Sequence, residues 1–243
     1  MSYPSHREPP YRLMPHAYVC ARDDYVVLMD IERGKYLAVD GRRSRELSEL
    51  IEGWPSPASD LSGNPQWDAA ERIVWQLLQR KLLTEDRSIG KTAAPVKTGL
   101  PMETFPILTL DRSLRPYLRY LPKFIMACVR ARRLRGDIRL ARVVEHIRER
   151  RRRWGDLVPD AKKLERLVTA HQHLRPLIYT WHDQCLYDSM VLLEFLAACR
   201  IDATWVFGVH TWPWIPHCWV RAGAYLLNDS PGNIGRYSIL AEF

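Results

Sequence analysis

Cys185, His217 and Asp229 are the side chains in this sequence whose types and spacing could make a nucleophile, its base and an orienting acid. Cys185 lies in WHDQCLYDSMVLLEFLAAC, residues 181–199. Asp183 stands two residues earlier and can cap a helix running from about Gln184 to Ala198, with Leu186, Met190, Leu193 and Ala197 as its buried stripe. Cys185 then sits in the first turn, where free N–H groups and the positive end of the helix dipole favour a thiolate over a thiol. The plainer reading makes it one more small buried apolar residue, which is how Cys128 and Cys199 read.

His217 opens a strand, His-Cys-Trp-Val-Arg, and Ala222-Gly223 offers a turn before a return strand that ends in Asn228-Asp229. With a three-residue loop, 222–224, Asp229 stands opposite His217, and directly opposed Cβ atoms are about 4.5–5.5 Å apart. A two-residue loop puts Asn228 there instead. Either side chain can accept the imidazole N–H, so the spacing leaves the third member open. Cys218 points to the other face and reads as core.

The elements that must position these groups lie in the second of two expected domains. The chain has 243 residues with 47% hydrophobic content, enough for a sizeable core. Residues 1–14 read as a Pro-rich tail without the apolar region of a signal peptide, and no apolar run is long enough to span a membrane, so a cytoplasmic location is expected. Five cysteines without framework or CxxC spacing argue for thiols, not disulfides or a metal cluster. Residues 15–86 read as three short strands, AYVCA, YVVLM and KYLAV, followed by helices. The first helix is RSRELSELIEG, with Ser44 as N-cap and Gly53 as stop; a later one is WDAAERIVWQLLQRKLL. This unit holds no catalytic constellation and reads as a binding module. Residues 87–111 carry prolines and glycines without a period and read as a linker. Residues 112–243 run from basic helices, including KKLERLVTAHQHLRPL, to one apolar helix and then strands, an α+β order.

The net charge of +8 is concentrated. Between Arg130 and Arg153 eleven arginines face Asp137, Glu145 and Glu149, and Leu134, Ile138, Ala141, Val144 and Ile147 recur at helical spacing. A helix with a basic outer face follows, either solvated or docked on an acidic partner. No aromatic residue is interleaved with the arginines before Trp154, which argues against nucleic acid.

The runs C-L-Y-D-S (185–189), W-V-F-G-V (205–209), P-W-I-P-H-C-W-V (213–220) and L-L-N-D (226–229) together resemble the lasso-peptide biosynthesis B proteins, the leader peptidases of that pathway. The front unit is similar to the RiPP recognition element, a PqqD-like module fused to many of these peptidases. The resemblance implies an α+β fold class, with a winged-helix-like βββααα module before a papain- or transglutaminase-like domain. It implies Cys185 as nucleophile, His217 as general base and Asp229 as orienting acid. Trp214, where Phe is expected, and Pro216, where a small residue is commoner, depart from the pattern beside His217. It further implies that a precursor's leader adds as a strand on Lys35, Tyr36, Leu37 and Val39, beside a helix presenting Arg72, Trp75 and Gln79. The backbone N–H of Cys185 would be the first oxyanion donor, with Gln184 and Trp181 nearby. The expected partners are the precursor peptide and a macrolactam synthetase, with no cofactor and no metal. Two other readings are a recognition adaptor with a silent peptidase domain and a winged-helix DNA-binding regulator.

Overall fold

The structure is a computed structural model that describes residues 8–57, 66–96, 103–104, 115–136, 140–154, 160–179 and 185–243. Two compact units emerge. The first is Met1–Lys97 with Val209–Ile215 and Ser238–Ala241; the second is Thr98–Gly208 with Pro216–Tyr237 and Glu242–Phe243. Mixed helix and sheet make the fold α+β, as expected.

The first unit begins with β1 (Arg12–Leu13), then an antiparallel meander of β2 (Ala17–Arg22), β3 (Tyr25–Asp30) and β4 (Lys35–Asp40). These are the three strands of the sequence reading. β-Branched and aromatic residues favour the pleat. Asp30 caps the β3–β4 turn by accepting the N–H groups of Glu32 and Arg33 at 3.0 and 3.1 Å. The strand order β2-β3-β4 leaves β4 at one edge. Helices α1 (Leu47–Leu50) and α2 (Trp67–Gln79) follow, then β5 (Leu83–Thr84), which pairs with β1. Val19, Val26 and Leu28 from the sheet bury against Leu47, Val74 and Leu77 from the helices.

Five expectations differ here. The tail is not free as far as residue 14, because Leu13 is buried and Arg12 grips Glu52 with two hydrogen bonds of 2.7 and 3.0 Å. The first helix shrinks to a 3-10 turn at Gly41–Arg43 and the single turn of α1, so two helices and that turn stand where three helices were expected. Ser44 is no N-cap: it closes the 3-10 turn through its backbone N–H, is buried, and its Oγ accepts the indole N–H of Trp54 at 2.7 Å. The second helix ends at Gln79 instead of Leu83. Lys81 turns to φ 57° and the N–H groups of Lys81 and Leu82 bond back to the carbonyls of Leu78 and Leu77, a Schellman stop that frees the two leucines for burial. The linker starts later than residue 87, because the Lys91 and Ala93 N–H groups donate to the carbonyls of Leu13 and Glu52.

The rest of the chain contains β6 (Glu103–Thr104), α3 (Leu121–Gly136), α4 (Leu140–Trp154), α5 (Ala161–Leu174), α6 (Cys185–Ala198), β7 (Thr204–His210), β8 (Ile215–Ala222), β9 (Tyr225–Leu226), α7 (Pro231–Ile234) and β10 (Ser238–Glu242); all of it belongs to the second unit except the end of β7, the first residue of β8 and Ser238–Ala241 of β10, which group with the first. The five strands form one sheet in the order β10-β7-β8-β9-β6. α6 is buried on every side from Tyr187 to Leu196, not along a single stripe, which makes it the core helix of the unit. α3 packs on it through Phe124, Ala127, Cys128 and Ala131, one helical face. The expected basic helix falls on α3 and α4, with residues 137–139 between them outside the described residues. Its arginines are partly internal: Arg150 binds the buried Glu194 at 2.7 Å and Arg151 binds Asp202 at 2.9 Å. No helix among the described residues is long and apolar enough to cross a membrane.

Candidate active site

Cys185 is the first residue of α6 and is half-buried. The expected cap at Asp183, and Trp181 and Gln184, lie outside the described residues. The thiol is drawn down to about 4, first by a hydrogen bond from the Cys218 thiol and next by His217, which together outweigh the opposing effect of burial. Cys218 is buried as expected, yet its sulfur is not turned away from the chemistry. It reaches Cys185, and its own thiol is pushed up by burial and by that neighbour.

His217 lies in β8 with its ring 5.0 Å from that of Tyr237 and 5.9 Å from that of Trp219, centroid to centroid. Trp219 can lie there because residue 208 is glycine: a Cβ would come within 2.8 Å of the indole. Nε2 of His217 is 2.5 Å from Oδ2 of Asp229, which leaves Nδ1 as the ring nitrogen for the thiol. Burial pulls the imidazole down, but Asp229 and Cys185 raise it more, to about 9. At neutral pH the pair is therefore a thiolate beside an imidazolium. Trp214 is exposed just before β8, and Pro216 is exposed as the second residue of that strand.

Neither expected hairpin register delivers Asp229. The strands pair Ala222 with Tyr225 and Arg221 with Leu226 across a two-residue turn, Gly223-Ala224, and this register extended would set Ser230 opposite His217. The ladder stops short of that point. The Val220 N–H donates to the Asn228 side chain at 2.8 Å instead of to a backbone carbonyl, the chain leaves the sheet, and Asp229 swings to the histidine. Its carboxyl is then fixed by the Ser230 N–H at 2.7 Å and by the Asn233 amide at 3.0 and 3.2 Å. Burial alone would raise that carboxyl; His217, Asn233 and the Ser230 N–H hold it below its ordinary value. Asn233 escaped the sequence reading, although Ser230-Pro231 is an N-cap followed by proline at the first helical position, which marks α7.

Beneath the pair lies a polar cluster around Asp188, itself buried. It accepts from Tyr179 Oη at 3.0 Å and from Asn228 Nδ2 at 3.0 Å, with Arg175 at 3.5 Å. His171 is 3.7 Å away, but burial drives its imidazole down to about 4, so it sits there neutral. Among the described residues no group of three or more His, Cys, Asp or Glu could hold a metal ion.

A second feature lies in the first unit. The edge strand β4 and helix α2 flank a groove of about 170 Å³ with Leu37 and Val39 on one wall and Ile73, Gln76, Leu77 and Arg80 on the other. Lys35 and Tyr36 do not line it. Arg72, Trp75 and Gln79 are exposed on the neighbouring stripe of α2, one residue round the helix from the lining face.

A family model described as the transglutaminase-like superfamily matches residues 125–242, which contain Cys185, His217 and Asp229. Microcin J25-processing protein McjB from Escherichia coli is 40% identical over 58 residues, 24% of this chain. The match spans 28% of that protein's length. No solved structure matches. The half-buried cysteine, the acid-held histidine and the helix-to-sheet order thus lie inside the α+β region that the transglutaminase-like model matches, in a chain with partial similarity to a microcin J25-processing protein.

Proposed function

We propose that the chain is a leader peptidase of lasso-peptide biosynthesis, in which Cys185 cleaves a precursor peptide at the junction of leader and core. The observation that carries the reading is the convergence of Cys185, His217 and Asp229, with the thiol drawn down and the imidazole pushed up. The Cys185 thiolate attacks the scissile carbonyl and the imidazolium of His217 gives its proton to the leaving amine, releasing the core's new N-terminus. The leader remains as a thioester on Cys185. Neutral His217 then takes a proton from water, which hydrolyses the thioester, while Asp229 holds the ring. The Cys185 backbone N–H, at the start of α6, is the first oxyanion donor.

Recognition belongs to the first unit, read as a PqqD-like leader-binding element. The leader adds as a strand to the edge strand β4 and places side chains in the groove between Leu37 and Ile73. Holding the leader there while the junction is cut elsewhere raises the effective substrate concentration to roughly millimolar. The freed core passes to a macrolactam synthetase, and the cleavage itself uses no cofactor. The name of the relative supports this assignment of substrate class.

Incubation of the chain with a precursor peptide, followed by mass spectrometry, tests the reading. Leader and core should separate with the wild-type chain and stay joined with Cys185→Ala, while leader affinity changes by less than about twofold. Leader binding without cleavage by the wild type would make the chain a recognition adaptor instead.

A further inference from the structure

Asn228 joins the element that carries Cys185 to the element that carries His217. Its Oδ1 accepts the Val220 N–H of β8 at 2.8 Å, and its Nδ2 donates to Asp188 Oδ2 at 3.0 Å and to Ser189 Oγ at 3.1 Å, both on α6. Ser189 closes the loop by donating to the Cys218 carbonyl at 3.3 Å, next to His217. The amide orientation follows from its partners, since only oxygen can face an N–H and only nitrogen can face a carboxylate. Asp188 and Ser189 stand one turn along the helix from Cys185, and Val220 stands three residues along the strand from His217. One half-buried amide thus spans the gap whose width sets the sulfur–imidazole separation.

We propose that Asn228 is a positioning residue that sets the Cys185–His217 alignment by clamping α6 to β8. The proposal rests on the reading of these two residues as a reactive pair. No other side chain of similar size has the same pattern. Aspartate lacks the donor, leucine lacks both functions, and glutamine is a methylene too long for three bonds at this spacing. The clamp is fixed from behind, because Asp188 is also held by Tyr179 and Arg175.

Asn228→Asp gives the sharper test. It sets a second carboxylate against Asp188, and two carboxylates at hydrogen-bond distance share a proton that is lost as pH rises. The groups facing this pair are Arg175 and Tyr179, the neutral His171 of α5, and the Asp229–His217 couple on the next residue. In acid the shared proton keeps the bridge to α6; toward neutrality the bridge opens.

The measurement is the rate of Cys185 alkylation by iodoacetamide against pH, located by peptide mass spectrometry, which needs no precursor. The wild type should react at a rate that rises through about 4 and then stays level. Asn228→Ala should move that rise toward the ordinary thiol range near ~8.5. Asn228→Asp should react within about threefold of wild type near pH 5 and at least tenfold slower near pH 7.5. The exchange Asp188→Asn with Asn228→Asp, which swaps amide and carboxylate, should restore the level profile. A wild-type profile in Asn228→Ala or Asn228→Asp overturns the proposal, as does a folded exchange variant without recovery. If Asn228→Ala does not fold, the other two variants decide. A wild-type rise at the ordinary thiol value would instead remove the reactive pair itself, a distinct outcome.

Discussion

Asp229 is 2.5 Å from His217 through Nε2, although the strand register alone would have brought Ser230 to that place. The acid reaches the base because the chain leaves the sheet at Asn228, so its position depends on side chains beyond the hairpin.

Asn233 is the first of these. Its amide bonds both carboxylate oxygens of Asp229, so Asn233→Ala should leave the protein folded but the acid free to turn. The expected result is a fall of about tenfold in kcat with KM little changed, read from cleavage kinetics. His217→Ala should cost far more, about 10²–10⁴-fold, because it removes the proton carrier itself.

The pH profile follows from the thiol at about 4 and the imidazole at about 9. Thiolate and imidazolium coexist between these values, so kcat/KM should rise through the first and fall through the second. Cys218→Ala removes the largest of the influences that draw the thiol down. Its acid limb should move upward while the alkaline limb, set chiefly by Asp229 and Cys185 acting against burial, moves less.

His171 gives a stability test. Buried and neutral with its imidazole near 4, it binds no proton in the folded state at pH values where the unfolded chain, at about 6.5, does. Its contribution is whole above the unfolded value and lost as pH falls from about 6.5 toward 4. Within that window, denaturant titrations should show wild-type stability falling by up to about 1.4 kcal/mol per pH unit more than that of His171→Asn.

The leader groove can be mapped by two substitutions on adjacent faces of α2. Ile73→Asp places a charge in the lining and should weaken leader binding at least tenfold, whereas the exposed Trp75→Ala should change it by less than about threefold. Titration of a labelled leader peptide distinguishes them.

Much of this organisation is legible in the residues. The meander of 17–40 follows from β-branched runs broken by Asp-Asp and Arg-Gly, and α5 from the run KKLERLVTAHQHLRPL. What the sequence reading misses depends on the alternatives a residue has in three dimensions. Ser44 looks like a cap until Trp54 claims its oxygen, and Leu82-Leu83 look like more helix until both bury beyond the helix end, Leu83 in β5. Cys218 reads as core by alternation along β8, and it is buried; that its thiol also reaches Cys185 depends on where α6 crosses the strand, which no local period encodes. Which stripe of α2 lines the groove beside β4 is hidden for the same reason, because residues 72, 75 and 79 share a face as well as 73, 76 and 80 do, and only packing chooses between them.

The central claim is that Cys185 forms a covalent bond to the leader. Acid quenching of the wild-type chain during turnover of a precursor peptide, followed by intact-mass and peptide-mass analysis, measures this directly. The account predicts a species heavier by the leader acyl group, attached at Cys185, released by hydroxylamine and missing from Cys185→Ala. Cleavage that continues undiminished in Cys185→Ala, or an acyl group found on another residue, would contradict it.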